Sequence, residues 1–466
     1  MRRTLSVSAL VAVTCLAAAG CLGQQEESDS QRNAQAKDVS LTITANAVAG
    51  GKNAAGAEWV DKYVIPKFVE QQKAKGVNVT VKFEGNGAAD EQYKQKVALD
   101  LKTGGGADIV NLDGIWVGEF AQAGYIKPLN EVAGGDVDKW DGWQQIPEAV
   151  QEIGKFEGKR YAVPLGTDGR VLYFNKKLFA QAGLPADWQP ESWEEVLQAG
   201  QRLKALPGIT PIQLNAGTAM GEATSMQGVL PLLVGTGAEV YSDGKWLGGG
   251  KELTEVLTLY ESIYKGGALG DPLLQQEAKG REKSFQLFAE NKIGILLEGD
   301  YLWRGVLEPT KGVAKMADRN TAVGWAKIPA QTPGSGIRGQ DFVSMSGGGV
   351  RVINPNTKFP QQAWELLQFM NSAEAIKAEL SGQARVTQRE DVNAEVLAND
   401  PLLSFVAEQV LPLTAYRPGL AQYPQVSTAL QQATADVVTG RSPSEAAQRY
   451  QEAVGAAVGA DNVSTS

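Results

Sequence analysis

The sequence predicts an α/β fold divided into two lobes, and three observations support this prediction. The chain has 466 residues, which is long for a single domain. Strand-like and helix-like segments alternate from residue 38 onward, and such alternation is typical of a sheet covered by helices. The alternation continues after residue 170 with no fixed-period repeat and no low-complexity segment. The second part of the chain is therefore expected to build a sheet of its own, so that each lobe has a mostly parallel sheet flanked by helices.

The first stretch predicts a β-α-β-α-β unit. Its strands alternate apolar and polar residues, which is the period of a strand with one buried face. The predicted segments are a strand at 39–44, a helix at 58–75, a strand at 77–83, a helix at 90–102 and a strand at 107–112. Pro66 is expected to kink or divide the first helix. This order implies a mostly parallel sheet with helices on both faces.

The second stretch carries clear boundary signals. An apolar run follows Lys292, and residues 292–297 are predicted to form a strand. Ser192 and Glu195 have the spacing of a capping box, in which a hydroxyl and a carboxylate satisfy the free amides at a helix start. Ser442 followed by Pro443 predicts the start of the last helix, because proline suits the first helical position.

The N-terminus predicts an exported lipoprotein. Arg2 and Arg3 precede an apolar run too short for a permanent membrane span, so residues 1–20 are predicted to be a signal peptide. Small residues before Cys21 resemble a lipobox, although alanine stands where leucine is usual, and Cys21 is the predicted lipidation site. Residues 21–38 are predicted to form a flexible tether. The alternative is an ordinary secretory signal with incidental cysteines. Both interpretations predict an extracytoplasmic protein.

Composition excludes several kinds of chemistry. Lys and Arg number 44 against 53 Asp and Glu, a net charge of −9, so we expect no nucleic-acid partner. The chain has no histidine, which removes histidine-dependent triads and histidine-ligated zinc. The two cysteines, Cys15 and Cys21, both belong to the leader region, so no disulfide or cysteine metal cluster is expected in the mature fold. We expect no cofactor and no metal.

Two motif matches do not predict function. Residues 334–339 match G-x-G-x-x-G, but they lead into a strand, whereas a dinucleotide-binding loop follows a strand and opens a helix. Asp136, Asp138 and Asp141 suggest a calcium loop, but Trp140 occupies a ligand position there. We interpret the first segment as a loop and the second as a solvated acidic loop.

Polar and aromatic residues lie in loops after predicted strands. In open α/β sheets, ligands bind outside the carboxyl ends of the strands. Sugars present apolar faces and hydroxyl edges, which suit flat rings and carboxylate or amide groups. The candidates are Asn46, Asn86, Asp113, Trp116, Asp168, Asn215, Glu222, Tyr301 and Trp303. The alternative for each ring taken singly is a core or scattered surface position, so these residues alone predict a polar cleft without naming its ligand.

Ordered blocks of the chain resemble the extracellular solute-binding proteins that include the maltose- and multiple-sugar-binding proteins. Residues 106–110 with 120–129 resemble one family block, and residues 161–164, 172–179 and 182–184 with the Ser-Trp-Glu-Glu segment at 192–195 resemble its most recognisable stretch. Residues 288–294 leading to Gly299 resemble a third block. The resemblance runs from about residue 39 to the C-terminal helix.

This resemblance implies a two-lobed periplasmic-binding-protein-like fold of class II. Lobe one would comprise residues 39–166 plus 343–384, and lobe two residues 167–342 plus 385–460. Residues 346–349 would lie near a crossing between the lobes, where flexible backbone suits a hinge.

The resemblance also assigns roles to individual residues. Asp168 would face the ligand at the first crossing, and Tyr301 would stack on a sugar, with Trp303 close behind it. Asp113 and Trp116 would supply first-lobe contacts, and Arg417 and Tyr423 would add a polar group and a ring from a late loop.

The predicted function is a membrane-anchored substrate-binding protein of an ABC importer. It would be a monomer that binds a sugar or oligosaccharide without altering it and delivers it to permease subunits. One alternative is a binding protein for a polyamine, a peptide or a metal chelate. Another is a glycan-active enzyme using paired carboxylates such as Asp113 and Asp168. A third is a lipoprotein that senses sugar for a membrane kinase.

Overall fold

A computed structural model describes residues 29–49, 53–88, 90–265, 269–277, 279–310, 312–380 and 384–464. The predicted signal peptide and the predicted lipidation site at Cys21 lie outside the described residues. In the described part of the chain, no helix combines the length and the apolar composition that crossing a bilayer requires.

Strands and helices alternate along the chain as predicted. The strands are β1 (Asp38–Ala45), β2 (Asn78–Gly85), β3 (Ile109–Asp113), β4 (Lys155–Phe156), β5 (Lys159–Arg160), β6 (Val163–Pro164), β7 (Arg170–Asn175), β8 (Thr210–Gln213), β9 (Tyr241–Ser242), β10 (Lys245–Trp246), β11 (Ile293–Gly299), β12 (Val323–Ala326), β13 (Ile328–Pro329), β14 (Phe342–Ser346), β15 (Gly349–Ile353) and β16 (Thr414–Tyr416).

The α-helices are α1 (Ala54–Trp59), α2 (Ile65–Ala74), α3 (Asp90–Lys102), α4 (Val117–Gln122), α5 (Leu129–Ala133), α6 (Glu148–Gln151), α7 (Lys176–Gln181), α8 (Trp193–Leu203), α9 (Glu222–Thr224), α10 (Leu230–Gly235), α11 (Lys251–Tyr264), α12 (Gly280–Ala289), α13 (Arg319–Ala322), α14 (Pro360–Met370), α15 (Ala373–Glu379), α16 (Glu390–Val396), α17 (Pro401–Phe405), α18 (Tyr423–Val438) and α19 (Pro443–Val458).

The first sheet has the order β2-β1-β3-β15-β6. β1 runs parallel to β2 and β3, while β15 is antiparallel to both β3 and β6. Val39, Leu41 and Ile43 of β1 are buried in alternation with more exposed neighbours, as the period-2 pattern predicted. We call this sheet with its helices lobe one.

The helix after β1 continues past its proline. α1 and α2 are joined by one π-helical turn at Val60–Val64, in which the N–H of Ile65 donates to the carbonyl of Val60. Pro66 follows this turn and has no N–H to donate, so the wider turn accommodates it without ending the helix. The predicted helix is therefore divided only locally.

The second sheet has the order β12-β7-β11-β8. β7 is antiparallel to both β11 and β12, and only β8 pairs in parallel with β11. The sequence predicted a mostly parallel sheet here, and this detail of the prediction is wrong. The physical reason is that β7 comes directly from lobe one. No helical crossover connects it to an earlier strand of the same sheet, so nothing requires β7 to run parallel to its neighbours. We call this sheet with its helices lobe two.

Two chain crossings run side by side between the sheets. Residues 165–169 connect β6 to β7, and residues 347–348 connect β14 to β15. β14 pairs with β13 and β16 rather than with the lobe-one sheet. The predicted boundary at residue 343 thus falls inside a strand that belongs with lobe two, and the chain passes to lobe one only after Ser346.

The segment before β1 is docked on lobe one. Gln361 on α14 donates to the carbonyl of Ser30 at 2.9 Å, and Gln362 donates to that of Asn33 at 3.0 Å. Arg32 donates in turn to the carbonyl of Thr357 at 3.2 Å. The prediction of a flexible tether up to residue 38 is therefore wrong from about residue 29 onward, because backbone carbonyls there satisfy side chains of the folded body.

Both predicted helix starts are present. Ser442 and Glu445 form the complete reciprocal capping box of α19. At α8, Ser192 accepts the N–H of Glu195 at 3.3 Å, but the Glu195 carboxylate accepts from Glu191 instead of Ser192. The predicted box at α8 is thus half formed. Residues 334–339 form a loop that leads to β14, as predicted.

Candidate ligand-binding site

A cleft of about 1340 Å³ opens at the carboxyl ends of β1 and β3. Lobe one lines most of it, and the two crossings form its end, with Arg304 contributed by lobe two. Four predicted residues line this cleft: Asn46, Asp113, Trp116 and Asp168. The rule that ligands bind outside the carboxyl ends of strands therefore placed these four at the candidate cleft, and their role in ligand binding stays a prediction.

The loop after β3 orients Asp113 and Trp116. Asp113 accepts the N–H of Ile115 at 3.2 Å and begins a 3₁₀ turn that ends at Trp116. The Trp116 ring packs between Tyr93 at 6.4 Å and Phe120 at 6.5 Å, measured between ring centroids. A side chain at Gly114 would meet Ile153 at 2.2 Å, so glycine is required for this close approach.

Asp168 connects the two crossings. It accepts the N–H of Gly347 at 2.7 Å and forms an ion pair with the buried Arg170. Its backbone carbonyl accepts the Ser346 hydroxyl at 2.5 Å. A methyl group built at Gly347 would lie 3.7 Å from both Asp168 Oδ1 and Arg417 Nη2. Asp168 and Arg417 therefore flank the same glycine at the end of the cleft.

The late loop brings three predicted residues together. The Glu222 carboxylate accepts from Arg417 Nη1 at 3.0 Å and from the Tyr423 hydroxyl at 2.6 Å, and Ser427 donates to it at 2.6 Å. Tyr423 is buried, whereas the Glu222 side chain keeps 39% of its surface exposed. Burial and the Glu222 charge raise the pKa of Tyr423, so its hydroxyl stays protonated as a donor.

A second network surrounds Glu298 at the end of β11. Glu298 is fully buried and accepts two bonds from Arg281, both at 2.8 Å, one to each carboxylate oxygen. The Tyr301 hydroxyl donates to it at 2.6 Å, and Asn215 donates at 3.1 Å. Asn215 is 1% exposed, so its side chain positions Glu298 and does not face the cleft.

Two predicted site residues lie elsewhere. Trp303 is 2% exposed, its ring nitrogen donates to Asp400 at 3.3 Å, and the Arg319 guanidinium stacks on the ring at 4.2 Å. It is a core residue, and its assignment to the ligand site is wrong. Asn86 accepts the N–H of Ala88 at 2.8 Å and does not line the cleft, because β2 is the edge strand farthest from the crossings.

The sequence analysis missed several residues of the cleft. Trp59 and Tyr63, one helical turn apart, present rings from the helix that follows β1. Other polar residues of the cleft that the sequence analysis missed include Asn111, Arg304, Arg351 and Arg385. The aromatic spacing in the first helix was a readable signal, but only loops after strands were searched. Nothing in the sequence around Arg351 predicts a cleft residue, because Arg351 lies in the middle of a strand.

One carboxyl beside the cleft has a perturbed pKa. Burial raises the pKa of Asp300 to about 6, while the Arg304 guanidinium opposes this rise and the nearby Asp168 charge adds to it. Asp300 is 1% exposed, accepts from Arg304 at 2.9 Å, and also accepts the N–H of Gly169 at 3.3 Å. Its protonation state therefore affects the first crossing. Among the described residues, no group of three acidic side chains could hold a metal ion.

Two lobes with a polar, ring-lined cleft at their crossings define the class of two-lobed binding proteins. The model of the bacterial extracellular solute-binding protein family matches residues 53–377 of this chain. The chain belongs to this family, as its sequence blocks predicted. One similar structure is an ABC transporter solute-binding protein of Thermotoga lettingae bound with alpha-D-tagatose, with a TM-score of 0.62 at 24% identity, covering 89% of this chain and 100% of that one.

Individual comparisons agree with this assignment. A binding protein of Brucella abortus (strain 2308) is 25% identical over 419 residues, which are 87% of this chain and 92% of the relative. The sugar-binding protein MalE of Xanthomonas citri has a TM-score of 0.70 at 17% identity, covering 89% of this chain and 96% of that one. The cyclic alpha-maltosyl-1,6-maltose binding protein of Arthrobacter globiformis has a TM-score of 0.68 at 20% identity, covering 91% and 99%. These structures confirm the predicted two-lobed fold.

Proposed function

We propose that this chain is a membrane-anchored lipoprotein that binds a sugar or oligosaccharide and delivers it to the permease of an ABC importer. The observation that carries the proposal is the cleft itself, which combines rings with amide and carboxylate groups. Flat rings suit the apolar faces of a pyranose, and the polar groups suit its hydroxyls. The volume of about 1340 Å³ exceeds that of ordinary small-molecule pockets, which supports a ligand of more than one sugar unit.

The crossings support binding by closure. The two segments are short and carry Gly166, Gly347 and Gly348 at their contact. Rotation at these glycines would bring Arg304 and the Glu222 group toward lobe one. A sugar would stabilise the closed form only through contacts that are stronger there than in the open form. The closed form would be the one that the permease recognises.

The solved neighbours named above bind sugars according to their descriptions, and this supports a sugar ligand here. The cysteine at position 21 supports the lipid anchor, because it ends an apolar leader after small residues. Nothing in the proposal requires the ligand to be altered. The Asp113 and Asp168 carboxylates would act only as hydrogen-bond acceptors.

The proposal is tested by calorimetry with neutral sugars of one to four units. We expect micromolar binding of at least one of them, which corresponds to about −8 kcal/mol. Tyr63→Ala removes a half-buried ring from the cleft and should weaken that binding about tenfold. Tyr241→Ala removes a half-buried ring from the β9–β10 hairpin and should leave affinity unchanged. Absence of binding to every sugar, or chromatographic evidence of their hydrolysis, would overturn the proposal.

The anchor is tested separately by cell fractionation. Full-length protein should sediment with membranes, and Cys21→Ala should move it to the soluble extracytoplasmic fraction. An unchanged distribution would remove the anchor from the proposal without affecting the binding function.

A further inference from the structure

The cleft contains one cation that the proposed sugar binding leaves unexplained. Among the residues that the structure describes, four basic side chains line the cleft: Lys62, Arg304, Arg351 and Arg385. Three of them have a carboxylate partner, at 3.0 Å for Lys62 with Glu58, 2.9 Å for Arg304 with Asp300, and 2.6 Å for Arg385 with Glu379. The Arg351 guanidinium forms no ion pair and no hydrogen bond with any residue in the described part of the chain.

Arg351 is largely withdrawn from solvent, and the part of its guanidinium that water can reach faces the cleft. It is 4% exposed, and its Nε is buried without an acceptor. Its guanidinium carbon lies 5.1 Å from the centroid of the Trp59 ring. A cation–π contact is weaker than the charged hydrogen bonds that a buried guanidinium usually makes. The ring therefore offsets only part of the cost of burying this charge.

The surroundings of Arg351 leave its guanidinium charged but give it no carboxylate partner. Burial lowers its pKa to about 10, with the Glu379 charge opposing the decrease and the Arg385 charge adding to it. The side chain still carries its proton at neutral pH. The Glu379 carboxylate is already bonded to Arg385 at 2.6 Å and lies beyond ion-pair distance of Arg351.

Asn111 faces Arg351 across the ladder between β3 and β15. Its Oδ1 is also buried without a donor. An orphaned cation and an orphaned acceptor therefore stand side by side on the cleft wall. A planar guanidinium binds a carboxylate or phosphate with two parallel bonds, and an amide oxygen accepts from a hydroxyl. One ligand that carries both an acid group and hydroxyls would satisfy both atoms.

We infer that this cleft selects acidic sugars, with the acid group of the ligand bound to Arg351 and a neighbouring hydroxyl bound to Asn111. The inference rests on the proposed function, because it names the ligand class of that same cleft. The shared chemistry is an anionic group on a hydroxyl-rich molecule. A uronic acid carboxylate and a sugar phosphate both provide it.

The experiment compares matched ligands by calorimetry. The carboxylate pair is α-1,4-digalacturonate against α-1,4-galactobiose, and the phosphate pair is glucose 6-phosphate against glucose. At least one acid should bind ten times more tightly than its neutral counterpart, and the pair that shows the preference identifies the source of the anion. Arg351→Gln should weaken binding of that acid about 10- to 100-fold and remove its preference over the neutral counterpart. Arg202→Gln, an exposed arginine of α8, is the matched control and should change neither affinity.

If the acids bind too weakly for their affinities to be compared, the melting temperature of the ligand-free protein provides a second test. Because Arg351 is buried without a partner, Arg351→Met should raise the melting temperature of the ligand-free protein. A fall of several degrees would show that the guanidinium has a structural role, and it would overturn the inference.

The binding measurements distinguish a failure of the acid selectivity from a failure of the proposed function. If neutral sugars bind and neither acid is preferred, or if Arg351→Gln keeps the preference, the acid selectivity is wrong while the proposed function stands. If no sugar of either kind binds, the proposed function fails and the inference fails with it.

Discussion

The carboxylate of Asp168 accepts the backbone N–H of Gly347 at 2.7 Å, although 179 positions separate the two residues in the chain. This bond joins the crossing at residues 165–169 to the crossing at residues 347–348, at the end of the cleft. The same carboxylate is the ion-pair partner of Arg170, which is 5% exposed. The Asp168 carboxylate therefore holds the two crossings together and also neutralises the buried Arg170.

Asp168→Ala should lower the free energy of unfolding by about 3 kcal/mol, because it removes a hydrogen bond and leaves Arg170 buried without its carboxylate. Urea denaturation measures the change. Sugar affinity should fall as well, since Asp168 lines the cleft. Asp187→Ala, at an exposed loop position, should change stability by less than about 0.5 kcal/mol. Equal effects of the two substitutions would contradict the role assigned to Asp168.

Gly348→Ala should push the crossings apart. Gly348 has φ of +156°, and a methyl group there would lie 2.3 Å from the carbonyl oxygen of Gly166. Backbone cannot move aside as a flexible side chain can, so we expect a loss of about 3 kcal/mol, measured by thermal unfolding. Gly305→Ala has open space within 4 Å and should be neutral or slightly stabilising. A Gly348→Ala variant as stable as the wild type would refute the close contact.

Tyr301→Phe separates the two roles of this side chain. The hydroxyl donates to Glu298 at 2.6 Å and accepts from Gln227 at 2.6 Å, so its removal should destabilise the protein by about 2 kcal/mol. If the ring stacks on sugar, as the family resemblance implies, Tyr301→Phe should bind sugar within about threefold of the wild type, and Tyr301→Ala should bind about tenfold more weakly. Tyr241→Phe provides the control for losing a hydroxyl elsewhere. Identical affinities of the alanine and phenylalanine variants would exclude stacking.

Stability should depend on pH through Asp300. Its pKa is about 6 in the folded chain and near 3.8 when unfolded, so the folded chain holds this proton more tightly. The contribution of this group to stability therefore rises as pH falls from about 6 to 4, and it is lost again as pH rises through 6. The difference is roughly 3 kcal/mol, at about 1.4 kcal/mol per pKa unit.

Asp300→Asn tests this assignment, because asparagine does not titrate. Urea denaturation of both proteins at pH 4, 5, 6 and 7 gives the comparison. The stability difference between variant and wild type should shift in favour of the variant as pH rises from 4 to 7. A difference that stays constant over this range would show that another group carries the pH dependence.

Local signals in the sequence predicted local structure well. α3 spans Asp90–Lys102 as predicted, because an uninterrupted helical segment ended by glycines has few alternatives. The helix start predicted at Ser442 is present for the same reason, since Ser442 and Pro443 stand next to the helix that they begin. Signals of this kind do not depend on the rest of the fold.

Orientation was harder to predict, because it depends on distant contacts. Tyr301 and Trp303 are two residues apart in a helical turn, so they point in opposite directions, and only Tyr301 reaches the polar network. Asn86 follows an edge strand, and strand order cannot be read from a single strand. Arg351 stands in β15 among apolar residues, and only the assembled sheet shows that its charge faces the cleft.

The docked segment before β1 limits how far the folded body can stand from a bilayer. If a lipid holds Cys21, the nine peptide steps from Cys21 to Ser30 reach at most about 30 Å, about half the distance that a free chain up to residue 38 would allow. Within the described residues, the printed bonds of this segment are to lobe one. With such an anchor, lobe two would be the part of the molecule that changes its height above the membrane during closure, and lobe one would remain near the lipid headgroups.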